Sequence, residues 1–183
     1  KYLIGQDVKP EEIICCTFSR KATDEIKSRI EDELKINVKN LPVGTFHSLA
    51  NKALKQLSSS ININLPKTVL TEKERRDIVL NINTTNPKIM EELKYSEKMP
   101  NKVLKYIDQI REQLIDPIDA AIEASEKGDP ATIAYADIYR LYEDYLTKHS
   151  LVDYTRMIHY AYKAFANDAK KDKSYISQFK HIL

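Results

Sequence analysis

Two short apolar segments, each ending in Thr-Phe and followed at once by a helical pattern, most constrain the fold of this 183-residue chain. The first runs from Ile13 to Phe18 and reads IICCTF, and the second runs from Val43 to Phe46 and reads VGTF. A continuous apolar run of this kind is typical of a strand that is buried on both faces of a sheet. Alternation of such strands with helices predicts a βαβα unit, and hence a parallel sheet, over about the first sixty residues.

The alternation stops near Ser58, where a polar linker runs to Pro66. Amphipathic helical patterns follow, and their starts carry recognisable signals. Thr71 with Glu74 matches a capping box, and three further starts place a capping residue before a proline: Asn86-Pro87, Asp116-Pro117 and Asp129-Pro130. The sequence therefore predicts a mainly α fold with a small parallel β portion, in which the middle of the chain is a helical bundle.

Several apolar stripes at helical spacing are expected to be buried, the first two in this bundle and the third on a helix that follows it. They are Val103, Ile107, Ile110 and Leu114; Ile138, Leu141, Tyr142, Tyr145 and Leu146; and Tyr154, Met157, Ile158, Ala161 and Phe165, with Asp153 as the cap of the last helix. Tyr135, Tyr139, Tyr142 and Tyr145 share a helix face, so packing is favoured for them over a ladder that stacks on bases. A further strand is predicted to begin near Phe179.

The formal net charge of +2 gives no global field that would indicate a nucleic-acid partner, so any such binding requires a local patch. Cys15 and Cys16 lie inside an apolar run and form no disulfide framework, which favours inert thiols in a reducing cytoplasm. No apolar run approaches the length of a membrane span, and no zinc-ligand spacing surrounds the histidines. The first four residues resemble the last turn of a helix, with Gly5 as its cap, so we expect the chain to be a piece of a larger protein.

Polar side chains cluster where the two predicted strands end. Because the carboxyl ends of parallel strands meet at one edge of a sheet, two helix N-termini are expected there, an arrangement that suits phosphate groups. The side chains of phosphate-contacting type are Thr17, Ser19, Arg20 and Lys21 at the first turn, and Thr45, His47 and Ser48 at the second. Phe18 could stack on an unpaired base.

Each of these residues also has a purely structural interpretation. Phe18 and Phe46 could be core aromatic residues at strand ends, and His47 could cap a helix. Arg20 and Lys21 could be solvated charges, although the helix dipole disfavours cations in a first turn. Two cations kept in that position are modest evidence for an anionic ligand.

The same residues carry a resemblance to the UvrD/Rep-type superfamily 1 DNA helicases. The run from Thr17 to Ala22, TFSRKA, resembles motif Ia of that family, usually Thr-Phe-Thr-Asn-Lys-Ala-Ala, and the run from Gly44 to Ser48, GTFHS, is similar to its Thr-Phe-His-Ser motif. Leu151 to Tyr154 resembles the Leu-Asp-Phe-Asp segment, and Phe179 to Leu183 is similar to the stretch before motif II. Departures from the family pattern are Arg20 for Asn, Thr23 for Ala, and Thr155 and Arg156 where acidic residues are common.

The resemblance implies that residues 1–60 and 150–183 belong to the RecA-like subdomain 1A and residues 61–149 to the helical subdomain 1B. It implies a parent enzyme that uses ATP and Mg²⁺ to move 3′ to 5′ along single-stranded DNA. Thr17, Phe18, Ser19, Arg20, Lys21, Thr45, His47 and Ser48 would contact the strand, and the helical bundle could reach the fork. The sequence holds neither a Gly-x-x-x-x-Gly-Lys-Ser/Thr loop nor an Asp-Glu pair after a strand, so we expect no ATP hydrolysis by this fragment without the remainder of the helicase.

Two alternatives remain open from the sequence. The chain could be a non-catalytic helical module that binds a protein partner through its amphipathic helices, with both Thr-Phe turns purely structural. It could also be a fragment of a RecB-like or AddA-like helicase–nuclease subunit, because such subunits share these motifs.

Overall fold

The chain divides into two compact units, one of them built from two separate stretches of sequence. Unit 1 comprises Lys1–Leu65 and Tyr160–Leu183, and unit 2 comprises Pro66–His159. The computed structural model describes residues 2–38, 41–57, 68–94, 96–170 and 174–183. The predicted linker from Ser58 to Pro66 therefore lies outside the described residues.

Short strands and longer helices alternate at the two ends of the chain, and helices dominate its middle. The strands are β1 (Ile13–Thr17), β2 (Val43–Thr45), β3 (Thr68–Val69), β4 (Leu151–Val152) and β5 (His181–Ile182). The helices are α1 (Arg20–Leu34), α2 (Phe46–Leu57), α3 (Glu72–Thr85), α4 (Pro87–Leu93), α5 (Met99–Glu112), α6 (Pro117–Lys127), α7 (Pro130–Lys148) and α8 (Tyr154–Asp168). The prediction of a mainly α fold with a small parallel sheet is confirmed.

Unit 1 contains a three-stranded parallel sheet in the order β2-β1-β5. The strand predicted near Phe179 is present as β5, and it pairs Ile13 with His181 and Ile14 with Ile182. Two strands alone would make a marginal sheet, so β5 supplies a needed third strand from the far end of the chain.

Helices α1 and α2 follow the carboxyl ends of β1 and β2 as the sequence predicted. The inner face of α2 buries four apolar side chains: Ala50, Ala53, Leu54 and Leu57. The expected helix cap at Gly5 is wrong: Gly5 lies within a 3₁₀ turn, Ile4–Gln6, and Asp7 is the left-handed residue that ends it, with a φ of 60°. Asp is one of the few side chains that adopt this conformation readily.

Unit 2 is a helical bundle with one continuous apolar core. The predicted capping box is present, because Thr71 Oγ1 accepts a hydrogen bond from the Glu74 backbone N–H and Glu74 accepts one from the Thr71 backbone N–H. Gly128 ends α6 in the left-handed conformation with a φ of 71°. The predicted core residues Val103, Ile107, Ile138, Tyr139, Tyr142 and Leu146 are fully or almost fully buried. Packing is thus confirmed for Tyr139 and Tyr142.

Three predictions for unit 2 and α8 are wrong. Leu114 lies beyond the end of α5 in a left-handed turn and is exposed, because the helix ends before its apolar stripe does. Tyr154 and Ile158 are exposed on α8, whereas Met157 and Ala161 of the same predicted stripe are buried. The middle of the chain is also not purely helical, because β3 and β4 form a parallel pair of two residues each. Such a pair is too short to produce an alternating pattern.

A cluster of charged side chains is buried inside unit 2, where the sequence indicated only a cap at Asp153. Asp153 does cap α8, since it accepts a hydrogen bond of 2.8 Å from the Arg156 backbone N–H. The cluster joins α3, α5, α7 and the start of α8, and its charged members are Arg75, Asp108, Arg111, Glu143, Asp153 and Arg156. The Thr155 hydroxyl is hydrogen-bonded to Asp108 and Arg111. Buried charges are tolerated when they are paired and hydrogen-bonded, as they are here. No helix in the described ranges is long and apolar enough to cross a membrane.

Candidate nucleic-acid interface

The last residues of β1 and β2 lie side by side. The parallel register pairs Cys15 with Val43 and Thr17 with Thr45, so both strands end at the same level. Adjacent strands are separated by about 4.8 Å in the hydrogen-bonding direction. The two Thr-Phe turns, about thirty residues apart in sequence, are therefore neighbours at the carboxyl edge of the sheet.

The first turn is held rigid by its own hydroxyl groups. Ser19 is the N-cap of α1, and its Oγ accepts a hydrogen bond of 3.1 Å from the Ala22 backbone N–H. Thr17 is buried, and its Oγ1 lies 2.6 Å from Thr23 Oγ1. Thr23 Oγ1 also donates to the Ser19 carbonyl at 3.1 Å. The Thr17 hydroxyl thus serves the turn, while Ser19 stays exposed at its surface.

Thr23 is one of the departures from the family pattern, and its hydrogen bonds explain how the fold accommodates it. A hydroxyl stands at this position where the resemblance leads one to expect Ala, and burying an unpaired hydroxyl would destabilise the fold. Its two hydrogen bonds, to Thr17 and to the Ser19 carbonyl, remove that cost. Sequence reasoning missed this contact because no local rule links residues 17 and 23.

Phe18 projects from the first turn almost entirely into solvent. Its side chain is 98% exposed, so the interpretation of Phe18 as a core aromatic residue is wrong. Phe46 is 53% exposed, and the two rings meet edge to face with centroids 6.0 Å apart and planes at 63°. This contact sets the direction of the Phe18 ring while leaving nearly all of its surface accessible, as a stacking platform requires.

The second turn resembles the first in its local hydrogen bonding. Thr45 Oγ1 accepts from the Ser48 backbone N–H at 3.3 Å, and Ser48 Oγ donates to the Thr45 carbonyl at 2.9 Å. His47 and Ser48 are exposed on the first turn of α2. Gly44 lies directly beneath: a Cβ at this position would meet the Ser48 hydroxyl well inside van der Waals contact. An alanine at this position would therefore force the Ser48 side chain to move, a constraint that the sequence did not indicate.

Positive charge at this edge is not neutralised locally. Arg20 and Lys21 are exposed, and no carboxylate in the described parts of the chain forms an ion pair with either. The first turns of α1 and α2 contain no acidic residue, in contrast to α3, which begins with Glu72 and Glu74. Two helix N-termini and two cations that pair with no carboxylate among the described residues make this edge attractive to an anion.

The residues that the structure describes do not fit the ATP and Mg²⁺ that the family resemblance implies for the parent. Gly5 lies in a 3₁₀ turn, Gly44 in β2 and Gly128 at a helix end, so none belongs to a loop that could cradle phosphates. Within the described ranges no group of His, Cys, Asp or Glu side chains is arranged to hold a metal ion.

A cleft of about 570 Å³ in unit 1 lies against the sheet, lined by apolar side chains that include Ile13, Cys15, Ile26, Ile30 and Val43. Such a lining does not suit a polyanion. Burial raises the pKa of the Cys15 thiol, which favours the inert interpretation of this cysteine.

Comparison with known proteins agrees with the motifs. The family model described as UvrD/REP helicase N-terminal domain matches residues 1–183. The chain is 26% identical to a probable DNA helicase II homolog of Mycoplasma capricolum, over 100% of this chain and 25% of that protein. It is 23% identical to the ATP-dependent DNA helicase PcrA of Staphylococcus epidermidis, over 99% of this chain and 24% of that protein. It is also 23% identical to the ATP-dependent DNA helicase SRS2 of Saccharomyces cerevisiae, over 99% of this chain and 16% of that protein. The chain spans a quarter or less of these relatives.

Proposed function

Because the chain belongs to the UvrD/REP helicase N-terminal domain family, we propose that it supplies part of the single-stranded DNA track of an ATP-dependent DNA helicase. The parent protein would bind ATP and Mg²⁺ through segments outside this chain and would move 3′ to 5′ along the strand. Residues 1–60 and 150–183 would form part of subdomain 1A, and residues 61–149 would form subdomain 1B. The chain alone would not hydrolyse ATP.

The observation that carries this proposal is the pairing of Thr17 with Thr45 beneath an almost fully exposed Phe18. An aromatic ring exposed to this extent contributes nothing to the core, whereas it offers a face to an unpaired base. Stacking of this kind contributes about 1–3 kcal/mol per base and is tolerant of sequence. The scaffold alternative gives no reason for a phenylalanine at this position.

The polar side chains around Phe18 would contact the sugar-phosphate backbone. Ser19, Arg20 and Lys21 would act at the first turn, together with the N-terminus of α1. Thr45, His47 and Ser48 would act at the second turn. Thr17 would contribute by holding the first turn in shape, since its hydroxyl is already hydrogen-bonded. Contacts to phosphate carry little sequence information, so binding should be non-specific and salt-sensitive.

The proposal is tested by fluorescence anisotropy of a labelled oligo-dT with the 183-residue chain at low and moderate salt. The Phe18→Ala variant loses one base-stacking contact, so its affinity for oligo-dT should fall about fivefold to a hundredfold. His47→Ala should also weaken it. Tyr162→Ala is the matched control, because Tyr162 is a half-exposed aromatic residue of unit 1 that belongs to α8 and to neither Thr-Phe turn, and its loss should leave affinity unchanged.

Binding that Phe18→Ala and His47→Ala leave unchanged would reject the proposed track and favour the scaffold alternative. If the chain alone binds no oligonucleotide, the same variants are compared in the full-length parent. Wild-type affinity of both variants there would also reject the track.

A further inference from the structure

Helix α6 carries an exposed apolar and acidic face that the proposed function does not use. We infer that this face docks a basic amphipathic helix of a protein partner. We call it the α6 surface, and it consists of Ile118, Asp119, Ile122 and Glu126. All four residues belong to unit 2.

The inner side of α6 is already occupied. Ala120 and Ala124 are buried and face α7, against which α6 makes its main packing contact. Ile118 and Ile122, four residues apart, lie together on the opposite side of the helix and are 69% and 54% exposed. A small apolar stripe thus faces solvent on a helix whose packing requirements are already met.

The charges along this part of the sequence are predominantly negative. Residues 112–129 contain six acidic residues and one basic residue, although the whole chain carries a net charge of +2. The one basic residue is Lys127, whose Nζ lies 3.7 Å from Glu123 Oε2, so its charge is paired within the helix. Asp119 and Glu126 are seven residues apart on one flank of the isoleucines, and no basic side chain in the described ranges forms an ion pair with either.

These charges select the chemistry of the partner. DNA would be repelled by the local negative field, so the α6 surface is not an extension of the track at the two turns. A second copy of the chain would bring two acidic faces together, which is also unfavourable. A helix with lysine or arginine beside an apolar stripe would complement both features, with burial of the isoleucines giving affinity and the charges giving orientation.

The test uses a synthetic peptide of about 18 residues with leucines on one helical face and lysines on the other. Two control peptides are its scrambled sequence and a version with glutamate in place of lysine. The basic amphipathic peptide should bind with salt-sensitive affinity and shift the NMR signals of backbone amides within 112–129. The scrambled and acidic peptides should bind at least about tenfold more weakly.

Paired variants separate the apolar and electrostatic contributions. Ile118→Ser with Ile122→Ser should weaken peptide binding about tenfold or more, whereas Met90→Ser, an exposed apolar change elsewhere in unit 2, should not. The double variant Asp119→Lys with Glu126→Lys should bind the basic peptide more weakly than the double variant Asp77→Lys with Glu91→Lys. Both change the net charge equally, but the second does so at exposed positions outside the α6 surface.

Absence of binding, equal binding of the acidic peptide, amide shifts confined to other helices, or indifference to the isoleucine changes would each overturn the inference. A dimer in sedimentation velocity that Ile118→Ser abolishes would identify a second copy as the occupant and would also overturn it. Oligo-dT affinity is an independent control for the isoleucine variants, because these uncharged changes should leave it unchanged whether or not the inference holds.

Discussion

Arg111 donates hydrogen bonds to both carboxylate oxygens of Asp153, at 2.8 and 2.9 Å, with both side chains buried in unit 2. Tyr142 donates a further hydrogen bond of 2.9 Å to Asp153. Removing one charge from a buried pair leaves the other uncompensated, which is far more costly than loss of an exposed pair. The Arg111–Asp153 pair therefore fixes the geometry where α5 meets the start of α8.

We predict that Asp153→Asn lowers the free energy of unfolding of unit 2 by about 3–5 kcal/mol. The measurement is urea unfolding followed by circular dichroism. Asp144→Asn is the control, because Asp144 forms an exposed ion pair of 3.9 Å with Arg140 and should cost less than about 0.5 kcal/mol. Equal small effects for the two variants would show that the buried pair is not stabilising.

Stability should fall in acid in a way that depends on Asp153. Burial raises the pKa of Asp153, but Arg111, Arg75 and hydrogen bonds outweigh that effect and hold the pKa at about 2. The pKa is lower in the folded than in the unfolded state, so this stabilisation is present above pH ~4 and is lost as pH falls towards 2, amounting to about 2–3 kcal/mol. The difference in unfolding free energy between wild type and Asp153→Asn should shrink across this window. If this difference in unfolding free energy stayed constant as the pH falls, the low pKa assigned to Asp153 would be contradicted.

Gly44→Ala should destabilise unit 1 by about 1–3 kcal/mol, because the new methyl group would displace the Ser48 side chain. Gly5→Ala is the matched control, since no atom lies within 4 Å of the position its Cβ would take. Adding Ser48→Ala to Gly44→Ala should restore part of the loss. Thermal unfolding of the four proteins measures this, and a Gly44→Ala protein as stable as Gly5→Ala would contradict the close approach.

The salt dependence of oligo-dT binding should identify the cations that contact phosphate. If Arg20 and Lys21 each neutralise one phosphate, replacing both by Gln should reduce the slope of log K against log salt by about 1.4. Lys35→Gln with Lys55→Gln makes the same charge change at the C-terminal ends of α1 and α2 and should leave the slope unchanged. Equal slopes for the two double variants would argue against the contact.

The local parts of the fold were predictable from sequence because local rules determine them. The capping box of Thr71 and Glu74 and the strand-to-helix turns depend on residues within a few positions of one another. The parallel neighbours β1 and β2 follow from their alternation with helices. This was sufficient to bring the two Thr-Phe turns to one edge.

Contacts between distant residues were not predictable in this way. The charged cluster draws on Arg75, Arg111, Glu143 and Asp153, which are separated by up to 78 positions, and each taken alone reads as an ordinary helical or capping residue. Phe18 was ambiguous for a similar reason: an apolar ring after a strand by itself favours a core position, the family resemblance favours a stacking position, and only the tertiary structure shows the ring exposed. The exposed face of α6 was hidden by the regular helical pattern around it.

The most direct test of the DNA track is photocrosslinking of an oligo-dT that contains 5-iododeoxyuridine, followed by peptide mapping. We expect crosslinks to fall mainly on the peptide that contains Phe18, to disappear in Phe18→Ala, and to persist in Tyr162→Ala. Crosslinks confined to the helices of unit 2, or unchanged in Phe18→Ala, would contradict the assignment of the strand to the carboxyl edge of β1 and β2.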